Sequence, residues 1–219
     1  MLNRKRQLAA DRARLAAWLR EWALDRALRQ ADRTEETGTP RGGGPYAEVR
    51  GKGRLATGQI RLLPPLTERT AERPVYVALL SAPDATRWLV APFGRFATPA
   101  FSGELATRRR TPMLRVLCVW NAGILSGDWL QAAYPAGRLT TSELRQATDL
   151  RAALADRDCP FARPERVGPP LVHPLDPRHL YVEEERALWL EFDLSSVTGL
   201  VWGETLQLAA ERPESYRTR

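Results

Sequence analysis

The stretch GQIRLLPPLTERTAERPVYVALLSAPDATRWLVAPFGRFATPAFSGEL, residues 58 to 105, decides the fold. Three short apolar runs lie in it: Ile60 to Leu63, Val75 to Leu80 and Trp88 to Ala91. Pro64-Pro65, the polar stretch Thr67 to Glu72, Ser81 to Asp84 and Gly94 separate them. Short apolar runs between such breakers read as buried strands rather than helices. Strands this close together, joined by local connections, predict a small curled sheet or barrel.

Upstream, residues 3 to 33 hold neither Gly nor Pro and are rich in Ala, Leu and Arg. That composition predicts one helix, the body of an N-terminal unit over 1–38. Leu8, Leu15, Leu19 and Trp22 share a face with Trp18 on its flank, whereas Leu24 and Leu28 point to the other side. Nine basic and four acidic residues between Met1 and Arg33 make this the basic end of a chain whose formal net charge is +7. Two roles compete for the helix. One is a basic arm on nucleic acid, or a partner handle using Leu8, Leu15, Trp18, Leu19 and Trp22. The other is a surface helix that docks the same stripe on its own domain. Residues 39–45 contain Pro40 and Gly42-Gly43-Gly44-Pro45 and read as a flexible linker. The glycines lack a following Lys-Ser/Thr, which excludes a phosphate loop. Tyr46 to Arg54 alternates as a further strand.

Downstream, Thr107-Arg108-Arg109-Arg110-Thr111 is a basic loop that grips phosphate or is a solvated turn. Leu114 to Trp120 is the most apolar strand and is expected at the centre of the sheet, with Cys118 as a core residue. Thr140-Thr-Ser-Glu143 spells a capping box, so a helix is expected from Thr141 to Ala155 with Leu144, Ala147 and Leu150 inward. This helix closes a unit spanning 46–155. The remainder, 156–219, starts as a Pro-rich loop. Glu183-Glu184-Glu185 reads as a solvated acidic turn. Alternation over Leu188 to Leu194 (Leu188, Leu190, Phe192) and again over Leu200 to Leu208 predicts a β-hairpin turning at Ser195 to Gly199.

Hydrophobic residues at 43% and charged residues at 27% exclude wholesale disorder. Cys118 and Cys159 make no disulfide framework. His173 and His179, six apart across two prolines, lack the further ligands a metal needs. Neither a nucleophile elbow nor a Rossmann fingerprint is present. The N-terminus runs straight into charged residues, and no window approaches the roughly 18 apolar residues of a membrane span. The expectation is a cytoplasmic protein with no membrane, metal or cofactor.

With these segments placed, residues 58 to 155 resemble the PemK/MazF-type toxin family. Gly58-Gln-Ile is similar to the family's opening of its first barrel strand. Arg73-Pro74 before Val-Tyr-Val, and Leu89-Val-Ala-Pro92, resemble its next apolar strands. Leu125-Ser126, Gly137-Arg-Leu-Thr and Glu143-Leu144 resemble its closing strand and C-terminal helix. Members are small SH3-like barrels and typically sequence-specific endoribonucleases. The resemblance implies an SH3-like barrel closed by a helix. With the N-terminal helix and C-terminal hairpin read above, the expectation is a mainly β (α+β) chain: an SH3-like barrel with a long N-terminal helix, one helix after the barrel and a C-terminal hairpin. It implies cleavage without metal or cofactor. Arg73 matches the arginine that serves the scissile phosphate, where a fixed guanidinium stabilises charge growing on the phosphorane oxygens. The accompanying hydroxyl, two positions after the strand-ending Pro92, falls on Gly94, with Arg95 and Thr98 nearby. That departure speaks against cleavage. Arg95, Arg108, Arg109 and Arg110 are the implied RNA contacts. Two functions follow: a barrel that binds or cuts RNA with an altered active site, or a non-catalytic module binding nucleic acid or protein through its N-terminal helix. The expected partners are RNA, a protein (antitoxin-like or other) on that helix, or a second copy of the chain.

Overall fold

A computed structural model describes residues 2–35, 54–65, 73–156, 161 and 164–196. The three apolar runs form β1 (Gln59–Leu62), β2 (Tyr76–Ser81) and β3 (Arg87–Pro92). Together with β6 (Gly123–Ser126) and β7 (Tyr134–Arg138) they make an antiparallel sheet in the order β6-β3-β2-β1-β7. Between β3 and β6 the chain folds β4 (Glu104–Ala106) against β5 (Val116–Cys118) as a separate antiparallel ribbon. Four helices complete the chain: α1 (Leu2–Glu35), α2 (Gly127–Ala132), α3 (Thr141–Ala155) and α4 (Arg178–Ser196). The class is α+β. Among the described residues the sheet is open, with β6 and β7 as its two edges and no pairing between them.

The alternation of side chains across a strand explains why the run Val75 to Leu80 is apolar at every position. Val75, Val77 and Leu79 enter one core with Trp88, Val90, Leu125 and Leu130. Ala78 and Leu80 enter a second core with Ile60, Ala91, Phe93 and Leu117. From α4, Leu188, Trp189 and Phe192 cover the first core, and from α3, Ala147 and Leu150 cover the second. Each fully buried Val, Leu, Ile or Phe side chain among these contributes about 1.5–3 kcal/mol. Gly58 starts β1 with φ 83°, a left-handed conformation that glycine adopts without strain. In it, the Gly58 N–H donates to Leu79 O, and Gly58 O accepts from the Leu139 N–H.

The capping box sets α3 as the sequence spells it. Thr140 Oγ1 accepts from the Glu143 N–H, and the Glu143 carboxylate accepts from the Thr140 N–H.

Three expectations are corrected. Leu114 to Trp120 is not the central strand. Only Val116–Cys118 is extended, with short 3₁₀ turns on either side, and β2 is the middle strand of the main sheet. Its apolarity has another source: β5 is enclosed, with Phe93 bridging to Leu117 and the Gly94 N–H donating to Val116 O. Leu188 to Leu194 is not a hairpin arm but part of α4. Tyr181, Glu185, Leu188, Trp189 and Phe192, at spacings of three and four, make its buried face, and Leu190 falls off that face. The acidic triplet is not a solvated turn either. It lies within α4, and of the three only Glu183 is exposed. The expected strand over 46–54, except for Arg54, the linker at 39–45 and the second hairpin arm at Leu200 to Leu208 lie outside the described residues.

Candidate functional site

Arg73 stands just before β2, where Pro74 starts the extended run. Its Nη2 donates to both Glu185 Oε1 and Oε2, at 2.7 Å each. The Arg73 side chain is 21% exposed and that of Glu185 only 5%. Burial works against the charge of Arg73, and the adjoining Glu185 carboxylate outweighs it, leaving the guanidinium pKa raised. The Nη2 of Arg73 is thus engaged by a carboxylate of α4.

Arg95 follows β3 and was expected to face RNA. It faces inward instead, 7% exposed, because acidic residues of two helices surround it. It pairs with Glu184, and its Nη1 lies 3.6 Å from Asp25 Oδ2. Its guanidinium carbon sits 4.9 Å from the Phe96 ring centroid and 5.5 Å from that of Tyr181. Two residues on, the loop turns its polar groups to α1. The Ala97 N–H donates to Glu21 Oε2 at 2.7 Å and the Thr98 hydroxyl donates to Glu21 Oε1. Glu21 and Asp25 are four apart on α1 and therefore side by side.

Behind this loop lies a buried polar centre. Glu104 Oε1 accepts from the Tyr181 hydroxyl at 2.7 Å, and Oε2 accepts from the Ala100 N–H at 2.6 Å. Burial pushes Glu104 up to about 7 despite these donors. Burial likewise raises the Cys118 thiol and the Tyr181 phenol well above their ordinary values. Burial thus favours the neutral thiol at Cys118. A Cβ added at Gly94 would stand 3.0 Å from both the Tyr181 hydroxyl and Cys118 Sγ. The space beside residue 94 is filled by a phenol from α4.

The apolar stripe of α1 is used within the chain. Trp18 is fully buried, stacked 5.5 Å from Trp22 and edge-on to Phe96 and Tyr181. Leu19 packs beside them and Leu15 is half-buried. Leu8, with Leu24 and Leu28, is exposed. The closure is imperfect. Trp18 Nε1, Trp22 Nε1 and Arg95 Nε are buried with no hydrogen-bond acceptor among the described residues. Each such donor costs about 1–3 kcal/mol.

The arginine loop is built differently. The Arg108 N–H donates to Glu143 Oε1 at 2.8 Å, so the carboxylate that caps α3 also fixes the loop. Burial works against the charge of Glu143, and the N–H groups of Arg108 and Thr140 outweigh it, so its pKa is lowered. Arg115 Nη2 donates to Arg110 O at 3.2 Å and braces the far end. Arg108 and Arg110 are exposed and Arg109 half-buried. None of the three forms an ion pair with a described residue. Arg109 Nη1 lies 3.5 Å from where a Gly137 Cβ would stand, so the loop borders the exposed Arg138 at the end of β7. The result is an exposed basic edge.

The structure therefore brings Arg73 and Arg95 together inside a ring of carboxylates and leaves Arg108, Arg109 and Arg110 on a separate outer edge. Sequence reasoning missed Glu21, Asp25, Glu104, Tyr181, Glu184 and Glu185. Asp176-Pro177 was a helix-start signal that would have placed the last three on one helix, since the Arg178 N–H donates to Asp176 Oδ1. Among the described residues no group of His, Cys, Asp and Glu is placed to hold a metal, and no helix is long and apolar enough to cross a membrane. A scan against protein-family models, a search of curated proteins and a search of solved structures return no match.

Proposed function

We propose that this chain is a PemK/MazF-like protein of SH3-like barrel type that binds RNA through its Arg108–Arg110 edge without cutting it. The order of elements, an antiparallel sheet with a helix directly after its last strand, fits the family resemblance, with the sheet left open between β6 and β7 among the described residues. One observation carries the functional reading: Arg108 and Arg110 are exposed on either side of half-buried Arg109, on a loop fixed by Glu143 and Arg115, and none of the three forms an ion pair with a described residue. Arg73 is by contrast engaged by Glu185, and residue 94 offers no hydroxyl of its own. A guanidinium that already holds a buried carboxylate is not available to a scissile phosphate.

The test is RNA binding as a function of salt. Each phosphate contact to a single strand contributes about 0.7 to the slope of log affinity against log salt. Replacing Arg108, Arg109 and Arg110 by Gln lowers affinity and reduces that slope by about 2. An unchanged slope would remove this edge from the interface. A second reading is favoured by the exposed Leu24 and Leu28 of α1, four apart on the face opposite the docked stripe, which suit a protein partner or a second copy of the chain. Sedimentation at increasing concentration tests the second copy, and a mass that stays monomeric rejects it.

A further inference from the structure

We infer that the loop Arg95–Thr98 is a second phosphate-binding site, occupied in this conformation by the α1 carboxylates Glu21 and Asp25 and opened when α1 lifts. The inference rests on the RNA-binding reading for its ligand class but uses none of the residues of the arginine edge.

The donor set is that of an anion site. A backbone N–H from Ala97 at 2.7 Å and the Thr98 hydroxyl converge on the two oxygens of one carboxylate, Glu21. The guanidinium of Arg95 lies 3.6 Å from the neighbouring Asp25, with its Nη2 paired to Glu184 of α4. A phosphate oxygen accepts from the Ala97 N–H and the Thr98 hydroxyl with more charge than a carboxylate oxygen brings, and Arg95, although held by α4, loses its Asp25 neighbour when α1 lifts. In the closed form Arg95 Nη2 pairs with Glu184, whereas its Nε stands 3.6 Å from Glu185 Oε1, too long for a hydrogen bond, and finds no other acceptor among the described residues.

The element over the site also carries unsatisfied donors among the described residues. Docking α1 buries the indole N–H groups of Trp18 and Trp22 without acceptors. Lifting α1 restores water to both, at the expense of the Trp18 contacts with Phe96 and Tyr181. In contrast α4 is anchored at both ends, by Arg178 on the carbonyls of Ala100, Pro169 and Pro170 and by Trp189 and Phe192 in the core. It stays in place. The sequence of α1 adds a second push: its basic residues outnumber its acidic ones, so a polyanion attracts the helix as a whole while displacing Glu21 and Asp25. Opening thus exchanges two carboxylates on one loop for phosphates.

The experiment uses the full chain carrying Arg108→Gln, Arg109→Gln and Arg110→Gln, so that only this site is read, and a mixed-sequence hexaribonucleotide as probe. Adding Glu21→Gln and Asp25→Asn is expected to tighten binding at least about tenfold. Adding Thr98→Val to that protein is expected to take the gain back. No gain, or a gain that Thr98→Val leaves intact, would overturn the inference. So would tighter binding of poly-glutamate than of the oligonucleotide, which would assign the loop to an acidic protein segment. Hydrogen exchange on the unmodified protein gives an independent reading. Saturating oligonucleotide should speed exchange of the amides around Trp18 to Trp22 while the Ala97 amide stays protected. Slower exchange in α1 would equally overturn it. Failure of the arginine-edge reading shows in the salt slope of the otherwise unmodified protein, and is separate from each of these outcomes.

Discussion

Replacing Glu185 by Ala removes the only carboxylate within hydrogen-bond reach of Arg73 among the described residues, and leaves Arg95 without the neighbour 3.6 Å from its Nε. Breaking one side of a buried ion pair costs about 3–5 kcal/mol, chiefly because a charge is left without its partner. Arg73 keeps a fifth of its side-chain surface in contact with water (21% exposed), so the lower end, about 3 kcal/mol, is the expected value. That is a large part of the about 5–15 kcal/mol that holds a domain folded. With a urea slope of about 2 kcal/mol per molar, the midpoint of unfolding should fall by about 1.5 M. Arg73→Met combined with Glu185→Leu should recover most of the loss, because an apolar pair removes the unpaired charge. The readout is a double-mutant cycle from urea midpoints. A shift below about 0.5 M for Glu185→Ala, the same with Met at position 73, would refute the claim that this pair engages Arg73.

Three further outcomes follow from the same centre and from the helix cap. Gly94→Ala places a Cβ 3.0 Å from Cys118 Sγ and the Tyr181 hydroxyl, so thermal unfolding should show a loss of about 1–3 kcal/mol, partly relieved by adding Cys118→Ala. Glu104 holds its proton in the folded chain up to about 7, against an ordinary value of 4.5, so the folded state binds the extra proton between those values. The contribution of Glu104 to stability should therefore be fully present below pH 4.5 and fall by up to roughly 3 kcal/mol as pH rises to 7, and the difference in urea midpoint between the unmodified protein and Glu104→Gln should show that slope. Thr140→Ala should cost about 1 kcal/mol by removing the acceptor for the Glu143 N–H, measured by urea unfolding.

Local chemistry was legible, and distant pairing was not. The strands β1, β2 and β3 were readable because each is a short apolar run closed by Pro, Gly or Asp, and α3 because Thr140 and Glu143 satisfy each other across one turn. The misreading of Leu188 to Leu194 has a local cause: Leu188, Leu190 and Phe192 alternate by chance, and the helical recurrence appears only when Tyr181 and Glu185 are included. The triplet Glu183 to Glu185 gave no hint of burial because its cations, Arg73 and Arg95, lie 112 and 89 residues away in the chain. The stripe on α1 was visible, with Trp18 and Trp22 at its centre, but a stripe does not name what covers it. Here Phe96 and Tyr181 do. Gly94 was legible as a missing hydroxyl, whereas the phenol beside it comes from α4 and could not be read from any spacing.

The most direct test of the account is one titration of RNA with chelator present, read for both binding and cleavage on the same gel. It compares the unmodified protein, Arg73→Gln, and the triple change of Arg108, Arg109 and Arg110 to Gln. The account predicts binding without cut products, binding retained in Arg73→Gln, and binding lost in the triple variant. Discrete cleavage by the unmodified protein that vanishes in Arg73→Gln while the triple variant still binds would contradict it.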